Sequence, residues 1–218
     1  MEEISAAFSS QSAEEGMPDR EMFPTYDRLA NRLKSHVDAG SSKQYWVACA
    51  GGPGSGKSTL AAAVTDRLNS FTGHESCVVL PLDGFHYSKA KLKELDPPDA
   101  SDYMARRGAP WTFDAESCVQ TLTAAKEKGS GTLPSYSREI SDPVPNGVDL
   151  RSTHKVVIVE GNYVLLNNDP RWRPLDSLWD EKWFIKCADR NEQRDRLVKR
   201  SLKTWSAAKA EVWGQGED

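Results

Sequence analysis

A glycine-rich segment constrains the fold of this chain more than any other part of its sequence. Residues 51–58 read Gly-Gly-Pro-Gly-Ser-Gly-Lys-Ser, which fits the pattern G-x-x-x-x-G-K-[ST]. An apolar run at residues 45–50 precedes this loop, and a helical pattern from Ser58 to Ser70 follows it. A strand that enters a glycine loop and then a helix is the opening of a βαβ unit, so we expect an α/β fold.

The residue types in the loop predict a site for the phosphates of a nucleoside triphosphate. Glycines allow backbone N–H groups to turn toward phosphate oxygens, and the start of the following helix adds the positive end of its dipole. Lys57 can reach the β- and γ-phosphates, and the Ser58 hydroxyl can ligate Mg²⁺. The loop residues predicted to bind ATP are Gly52, Gly54, Ser55, Gly56, Lys57, Ser58 and Thr59.

Further apolar runs predict a mostly parallel central sheet between layers of helices. Runs that are apolar on both faces suit such a sheet, and they occur at residues 77–82, 155–159 and 182–188. Apolar periodicity and capping residues predict helices over 26–37, over 114–128 with Asp114 as the cap, and over about 189–209.

The remaining segments lack a regular period. Residues 84–113 and 130–154 are rich in Pro, Gly, Asp and Arg, and we expect them to be long loops that form substrate walls or ordinary surface connections. Residues 1–23 are rich in Ser, Glu and Ala and predict a mobile N-terminal tail or a loosely docked arm. Residues 24–218 would then form one domain.

Two carboxylates follow predicted strands. Glu160 comes directly after Val156–Val159, the position from which an acid holds a metal ion or its water shell, although an ordinary strand-end acid has the same pattern. Asp83 ends another strand and is followed by Gly84. It could accept the proton of an attacking hydroxyl, or it could be a second metal ligand or a turn residue. Because carboxyl ends of parallel strands share one edge, both acids should lie beside the phosphate loop.

Composition excludes several other classes. The net charge of -4 lacks the surplus of cations that a nucleic-acid binder needs, and no apolar run approaches the roughly 18 residues of a membrane span. No leader precedes the predicted tail, so we expect a cytoplasmic protein. The cysteines show no metal-ligand spacing and are predicted to be reduced core residues: Cys49, Cys77, Cys118 and Cys187. The 7 tryptophans leave a homodimer open.

A cationic stripe lies on the last predicted helix. Arg196, Arg200 and Lys203 fall at positions i, i+4 and i+7, which places them on one helix face. Such a stripe is often a solvated surface. Alternatively, it could neutralise charge on a transferring phosphoryl group.

Several segments together resemble the superfamily of P-loop kinases that contains phosphoribulokinase, uridine kinase and pantothenate kinase, including its fructose-kinase-like members. The resemblance spans roughly residues 45–204 and is carried by residues 51–59, 80–86, 106–114, 134–138 and 159–162. It implies a three-layer P-loop NTPase fold with a mostly parallel central sheet. Relatives continue past the helix at 189–209 into another strand, so the sheet is expected to lack its last strand.

The resemblance also implies roles for individual residues. Asp83 matches the catalytic base and Glu160 the magnesium-associated acid, with Lys57 and Ser58 at the phosphates. The helix at 189–209 matches an arginine-bearing lid, in which Arg194, Arg196 and Arg200 would cover the phosphates. The residues expected to line the acceptor pocket are His86, Arg107, Tyr136 and Arg138; for His86, an ordinary loop imidazole and a hydrogen-bond donor to the substrate are both open.

The expected function is therefore phosphoryl transfer from ATP, with Mg²⁺, to a hydroxyl of a small metabolite such as a nucleoside, a pantothenate-like compound or a sugar. No nucleic acid or membrane is expected as a partner. A nucleotide-binding regulatory protein with little kinase activity is the alternative, because the expected absence of the last strand raises the question of how the adenine is held.

Overall fold

A central parallel sheet organises the protein in the computed structural model, which describes residues 1–6, 19–95 and 106–201. Its strands are β1 (Glu2–Ala6), β2 (Tyr45–Gly51), β3 (Cys77–Pro81), β6 (Val156–Gly161) and β7 (Glu181–Cys187). They lie in the order β1-β7-β2-β6-β3, and every neighbouring pair is parallel. The apolar runs of the sequence thus form β2, β3, β6 and β7 as predicted.

Helices cover both faces of the sheet. They are α1 (Phe23–Asp38), α2 (Lys57–Thr72), α3 (Lys89–Leu95), α4 (Ala115–Lys128) and α5 (Arg190–Ser201). The Asp114 carboxylate caps α4 by accepting a hydrogen bond from the Ser117 N–H, 3.0 Å away, as the sequence indicated. The described part of the chain includes no helix that is long and apolar enough to cross a membrane.

Two apolar clusters lie on opposite sides of the sheet. One packs α1 and α2 against alternate residues of the strands, such as Val47, Ile158 and Ile185. The other packs α4 and the segment before β7 against the intervening residues, such as Ala48 and Val159. Because successive strand residues point to opposite faces, strands buried on both sides need the continuous apolar runs seen in the sequence.

The expectation of a long irregular loop over residues 130–154 is wrong. Residues in this segment form an antiparallel pair, β4 (Gly131–Ser137) and β5 (Asp142–Leu150), with a shift of register between Leu133 and Ser135. Pro and Gly within the segment hide the period-two alternation. This hairpin packs against the short 3₁₀ turn Leu82–Phe85 that follows β3.

Of the two alternatives for residues 1–23, the mobile tail is wrong where the structure describes the segment, because residues 2–6 are docked on the sheet. Residues 2–6 form β1, which pairs in parallel with β7 and buries Ile4. The edge of the sheet beside β7 is thus occupied by β1, a strand that the sequence did not predict. Asp19 caps the 3₁₀ turn that leads into α1. Residues 7–18 lie outside the described part.

Candidate active site

The phosphate loop lies between β2 and α2, as predicted. Gly56 has a φ of 89°, and α2 begins at the next residue, so the first amides of the helix face the loop. Ser55 is 1% exposed, and its hydroxyl oxygen has no hydrogen-bond partner within the described residues. Unpaired backbone amides and a buried unpaired hydroxyl form a site for an anion.

Glu160 and Ser58 meet at the carboxyl edge of the sheet. The Ser58 hydroxyl donates a hydrogen bond to Glu160 Oε2 at 3.1 Å. Glu160 is 7% exposed; burial raises its pKa, and the positive charge of Lys57 acts in the opposite direction. A buried carboxylate beside a hydroxyl and a cation provides oxygen ligands for a divalent metal ion.

Asp83 stands next to this pair. Pro81 lies opposite Glu160 in the pairing of β3 with β6, so Asp83 emerges two residues further along the same edge. Its negative charge contributes to the raised pKa of Glu160, after burial. About 45% of the Asp83 side chain is exposed, so a small molecule can reach the carboxylate.

The turn that carries Asp83 is tightly packed against the hairpin. A Cβ placed on Gly84 would lie 2.4 Å from the main-chain oxygen of Pro134 in β4, which is closer than packed atoms allow. Only glycine permits this approach. The contact brings the hairpin, with Tyr136 and Arg138, beside Asp83.

Aromatic rings lie around His86, three residues after Asp83. His86 lies 3.8 Å from the ring of Phe113 and 5.1 Å from that of Tyr136, measured between centroids. Tyr163 contacts the edge of Phe113, and its hydroxyl donates to the Gly108 carbonyl at 2.5 Å. These contacts place the predicted residues His86 and Tyr136 together at one wall of the site.

The guanidinium group of Arg107 forms hydrogen bonds to two other segments of the chain at this wall. Its Nη2 donates to Asp142 Oδ1 at 2.6 Å and to the Tyr87 carbonyl at 3.0 Å, and its Nη1 donates to the Ser141 carbonyl. The Nε of Arg107 is buried without a hydrogen-bond partner among the described residues, and the predicted contact between Arg107 and an acceptor stays a prediction. Arg138 is exposed, and its charge acts on the pKa of Glu160 after the larger effects of burial and Lys57.

The predicted lid helix lies beside the phosphate loop, and the roles predicted for Arg194, Arg196 and Arg200 stay predictions. Arg194 lies beside Asp195, and Arg196 donates to Glu192 at 2.7 Å. Arg200 falls within α5, but its side chain lies outside the described part, as does Lys203.

Gln193 makes the closest described contact between α5 and the loop, because its Nε2 donates to the Pro53 carbonyl at 2.8 Å. A cavity of about 230 Å³ lies beside this contact, between Gly52, Arg190 and the end of β7.

Sequence reasoning missed Gln193, and it also missed the amide of Asn162. Asn162 follows Glu160 by two residues, and its Oδ1 is buried without a hydrogen-bond partner among the described residues. Because Asn162 lies only two residues after Glu160, the sequence could have indicated it as a site residue. Gln193 carries no local signal, because its contact with Pro53 spans 140 residues of the chain.

Comparisons with known proteins agree with this arrangement. A family model described as Zeta toxin matches residues 26–125, which include the phosphate loop and Asp83. A protein of Schizosaccharomyces pombe, provisionally named as a uridine kinase, is 36% identical over 180 residues, which cover 82% of this chain and 74% of that protein.

Solved structures show the same fold. A structure from a Silicibacter species, provisionally named as a fructose transport system kinase, has a TM-score of 0.73 and 29% identity and covers 88% of this chain and 89% of its own. YFH7 of Saccharomyces cerevisiae, provisionally described as a P-loop kinase with a circular permutation, has a TM-score of 0.73 over 88% and 92% of the two chains. At 17% identity, it shows similarity of fold alone.

The similarity to the S. pombe protein extends over most of both chains, and the parallel sheet, the phosphate loop and the fold of solved relatives agree with it. The chain therefore belongs to the superfamily of P-loop kinases that contains phosphoribulokinase, uridine kinase and pantothenate kinase, and it is a small-molecule kinase.

Proposed function

We propose that the protein transfers the γ-phosphoryl group of ATP, with Mg²⁺, to a hydroxyl of a small metabolite. The observation that supports this most directly is the grouping at the sheet edge. Glu160 and Ser58 are in contact at the start of α2, while Asp83 lies in the 3₁₀ turn after the neighbouring strand and is partly exposed to solvent. A binding site for phosphates thus lies beside an accessible base.

The residues present fit ATP and Mg²⁺. The buried Ser55 hydroxyl and the first amides of α2 would bind phosphate oxygens, with Lys57 adding positive charge. Ser58 and Glu160 would hold Mg²⁺, which when bound neutralises charge on the phosphates. Thr59, in the first turn of α2, adds a hydroxyl at the same end of the helix. The cavity beside Gly52 and Arg190 adjoins the loop and is available to the nucleoside end of ATP.

Asp83 acts on the other substrate in this proposal. Its carboxylate accepts the proton of the acceptor hydroxyl as that oxygen forms a bond to the γ-phosphorus. The bond from the γ-phosphorus to the bridging oxygen breaks, and ADP leaves with that oxygen. Tyr136, His86 and Arg138 would line the acceptor side, while Arg107 would hold this wall in place.

The arginines of α5 remain candidates for stabilising the transferring group. Arg194 and Arg196 are about half exposed or less and are paired within the helix, so each would have to leave its acidic neighbour to reach the phosphates. Arg200 completes the proposed set. Positive charge brought to the phosphoryl group lowers the barrier electrostatically.

The test is acceptor-dependent release of ADP from ATP and Mg²⁺ across a panel of nucleosides, sugars and pantothenate. We expect Asp83→Asn to lower kcat by roughly 10²- to 10⁴-fold with little change in ATP binding. We expect Lys57→Ala to lower both kcat and the affinity for ATP. Asp66→Asn, an exposed position on α2, is the matched control and should retain the wild-type rate.

A near-normal rate of phosphoryl transfer in Asp83→Asn would show that Asp83 is not the base. The alternative, a nucleotide-binding regulatory protein, predicts a different result. Calorimetry would then show ATP binding to the wild-type protein, while no acceptor in the panel released ADP.

A further inference from the structure

Three neighbouring rings form one side of the site, and we call them the acceptor wall: His86, Phe113 and Tyr136. The ring of Tyr163 contacts this wall edge to face, with 5.3 Å between its centroid and that of Phe113. Tyr163 also lies in the turn after β6, three residues beyond Glu160. One side chain therefore joins the acceptor wall to the strand that carries the proposed Mg²⁺ ligand.

The hydroxyl of Tyr163 anchors a tight turn next to the wall. It donates a hydrogen bond to the Gly108 carbonyl at 2.5 Å. The Gly108 N–H donates to the Thr112 hydroxyl at 2.9 Å, and that hydroxyl donates to the Ala109 carbonyl at 2.8 Å. Both main-chain polar groups of Gly108 are thus bonded, one within the turn and the other to Tyr163.

The phenol of Tyr163 stays protonated, as this bond requires. A carbonyl oxygen can only accept a hydrogen bond, so the tyrosine must be the donor. Burial raises the pKa of Tyr163 above its ordinary value, and the negative charge of Asp83 raises it further. The hydroxyl is therefore a donor at neutral pH.

Arg107 connects the anchored turn to the hairpin. It directly precedes Gly108, and its guanidinium donates to Asp142 Oδ1 at 2.6 Å. Asp142 begins β5, which pairs with the strand that bears Tyr136. The position of Tyr136 in the acceptor wall therefore depends on the turn that Tyr163 holds.

Main-chain pairing connects the same turn to His86. The Tyr87 N–H donates to the Thr112 carbonyl at 2.9 Å. His86 itself pairs with Phe113 in an antiparallel bridge, and their rings lie 3.8 Å apart. All three rings of the acceptor wall are thus attached to the turn whose carbonyl accepts from Tyr163.

We propose that Tyr163 is a positioning residue: its hydroxyl ties the acceptor wall to the turn after Glu160 and so sets the distance between the acceptor and the phosphates of ATP. This inference rests on the proposed function. Reacting atoms must be held about 3–3.5 Å apart and aligned, so a small displacement of the wall slows transfer strongly. Hydrolysis of ATP by water does not use the wall.

Two rates measured in the same enzyme test the proposal. With ATP and Mg²⁺, ADP release is measured with the best acceptor of the panel and without any acceptor. Tyr163→Phe keeps the ring against Phe113 and loses the hydroxyl, and we expect it to lower kcat/KM for the acceptor by about 10- to 100-fold. We expect ADP release without acceptor, and the KM for ATP, to stay within about 2-fold of the wild type.

A second variant releases the same turn from its other side. Thr112→Val removes the bond from the Gly108 N–H at a fully buried position and nearly keeps the shape of the side chain. We expect the same selective loss of acceptor-dependent transfer. Tyr45→Phe is the matched control, because its hydroxyl donates to Glu181 at 3.3 Å at the other edge of the sheet, and both rates should match the wild type.

Hydrogen exchange gives a readout that needs no acceptor. Tyr163→Phe should exchange faster than the wild type over residues 107–114 and at the same rate over α2. Equal exchange of the two proteins over residues 107–114 would overturn the inference, because the turn would then not depend on the hydroxyl.

Two kinetic results would also overturn it. One is an equal fall of both rates in Tyr163→Phe, which indicates a structural role alone, and the other is an unchanged kcat/KM for the acceptor. Both leave the proposed function intact. If no compound releases ADP while ATP still binds, the proposed function fails, and this inference fails with it.

Discussion

Single residues in the phosphate loop carry polar atoms that the protein does not satisfy by itself. The Ser55 hydroxyl is buried without a partner in the described structure, which costs about 1–3 kcal/mol unless a ligand binds it. Selection for stability alone would favour an apolar side chain at this position. The unsatisfied hydroxyl thus favours a role in binding over a role in stability.

Replacing Ser55 with Ala should separate binding from stability. We expect the ligand-free melting temperature to stay the same or rise, because an unpaired buried group is removed. The increase in melting temperature caused by ATP and Mg²⁺ should become smaller. Ser70→Ala, at an exposed position on α2, is the control. A fall in ligand-free stability with an unchanged ATP shift would contradict this account.

The buried imidazole of His86 should make stability depend on pH. Burial lowers the pKa of His86 from 6.5, so the unfolded chain binds the proton more readily than the folded one. Its contribution to stability is complete above pH 6.5 and is lost as the pH falls toward the lowered folded-state pKa. Asp83 and Asp142 act against this lowering of the His86 pKa, and Arg107 adds to it.

The comparison is between the wild type and His86→Phe, which keeps a ring against Phe113. Thermal unfolding from pH 7.5 to 5.5 should show a steeper loss of stability in the wild type. His154 has a pKa lowered in the same direction by burial and is present in both proteins, so it cancels. Parallel curves for the two proteins would show that His86 does not titrate in this way.

Contacts between elements link α5 to the phosphate loop. Gly54 has a φ of 77°, and a Cβ there would lie 3.0 Å from the main-chain oxygen of Gln193. Glycine is thus required both by the backbone conformation and by the approach of the helix. Together with the hydrogen bond from Gln193 to Pro53, this contact couples the position of α5 to the shape of the loop.

Gly54 and Gly73 have similar φ angles, so alanine substitutions at the two positions isolate the effect of the contact between Gly54 and α5. Gly73 ends α2 with a φ of 72° and has open space around its Cβ position. Gly73→Ala should cost only the strain of the left-handed conformation, about 1–2 kcal/mol. Gly54→Ala should cost more and should increase hydrogen exchange over residues 190–201. Equal losses without a change in exchange would show that α5 does not depend on this loop.

Elements with strong local patterns could be predicted, and elements held by distant contacts could not. The apolar run of β6 and the capping residue of α4 carry their own signals, as do Lys57, Glu160 and Asp83 in the site. The hairpin β4–β5 was missed because Pro and Gly obscure its alternation. The docking of Gln193 and the packing of His86 against Phe113 and Tyr136 depend on tertiary contacts that no local pattern contains.

The whole molecule depends on a strand that the sequence did not reveal. β1 has only five residues, of which two are Glu, and its pairing partner β7 lies about 180 residues further along the chain. Ile4 is 3% exposed in the cluster with α1, while Glu2 pairs with Arg28 and Arg32 of that helix. Short strands with charged residues give weak local signals, so this pairing becomes visible only in the assembled sheet.

Truncation of Ile4 tests this arrangement. We expect Ile4→Ala to lower the free energy of unfolding by about 2–5 kcal/mol, because it opens a cavity between β1 and α1. Ser5→Ala, on the opposite face of the same strand, should change it by less than about 0.5 kcal/mol. Denaturant unfolding measures both. If the two variants were equally stable, β1 would not be part of the cooperative core.

The place of β1 in the sheet also affects how the chain is made. During synthesis, Glu2–Ala6 is translated about 180 residues before its partner β7 (Glu181–Cys187). At ordinary rates of about 5–20 residues per second, the first strand waits roughly ten seconds or more with its backbone groups unpaired. Charged residues on an unpaired strand disfavour pairing with other chains, and β1 has two glutamates at its start.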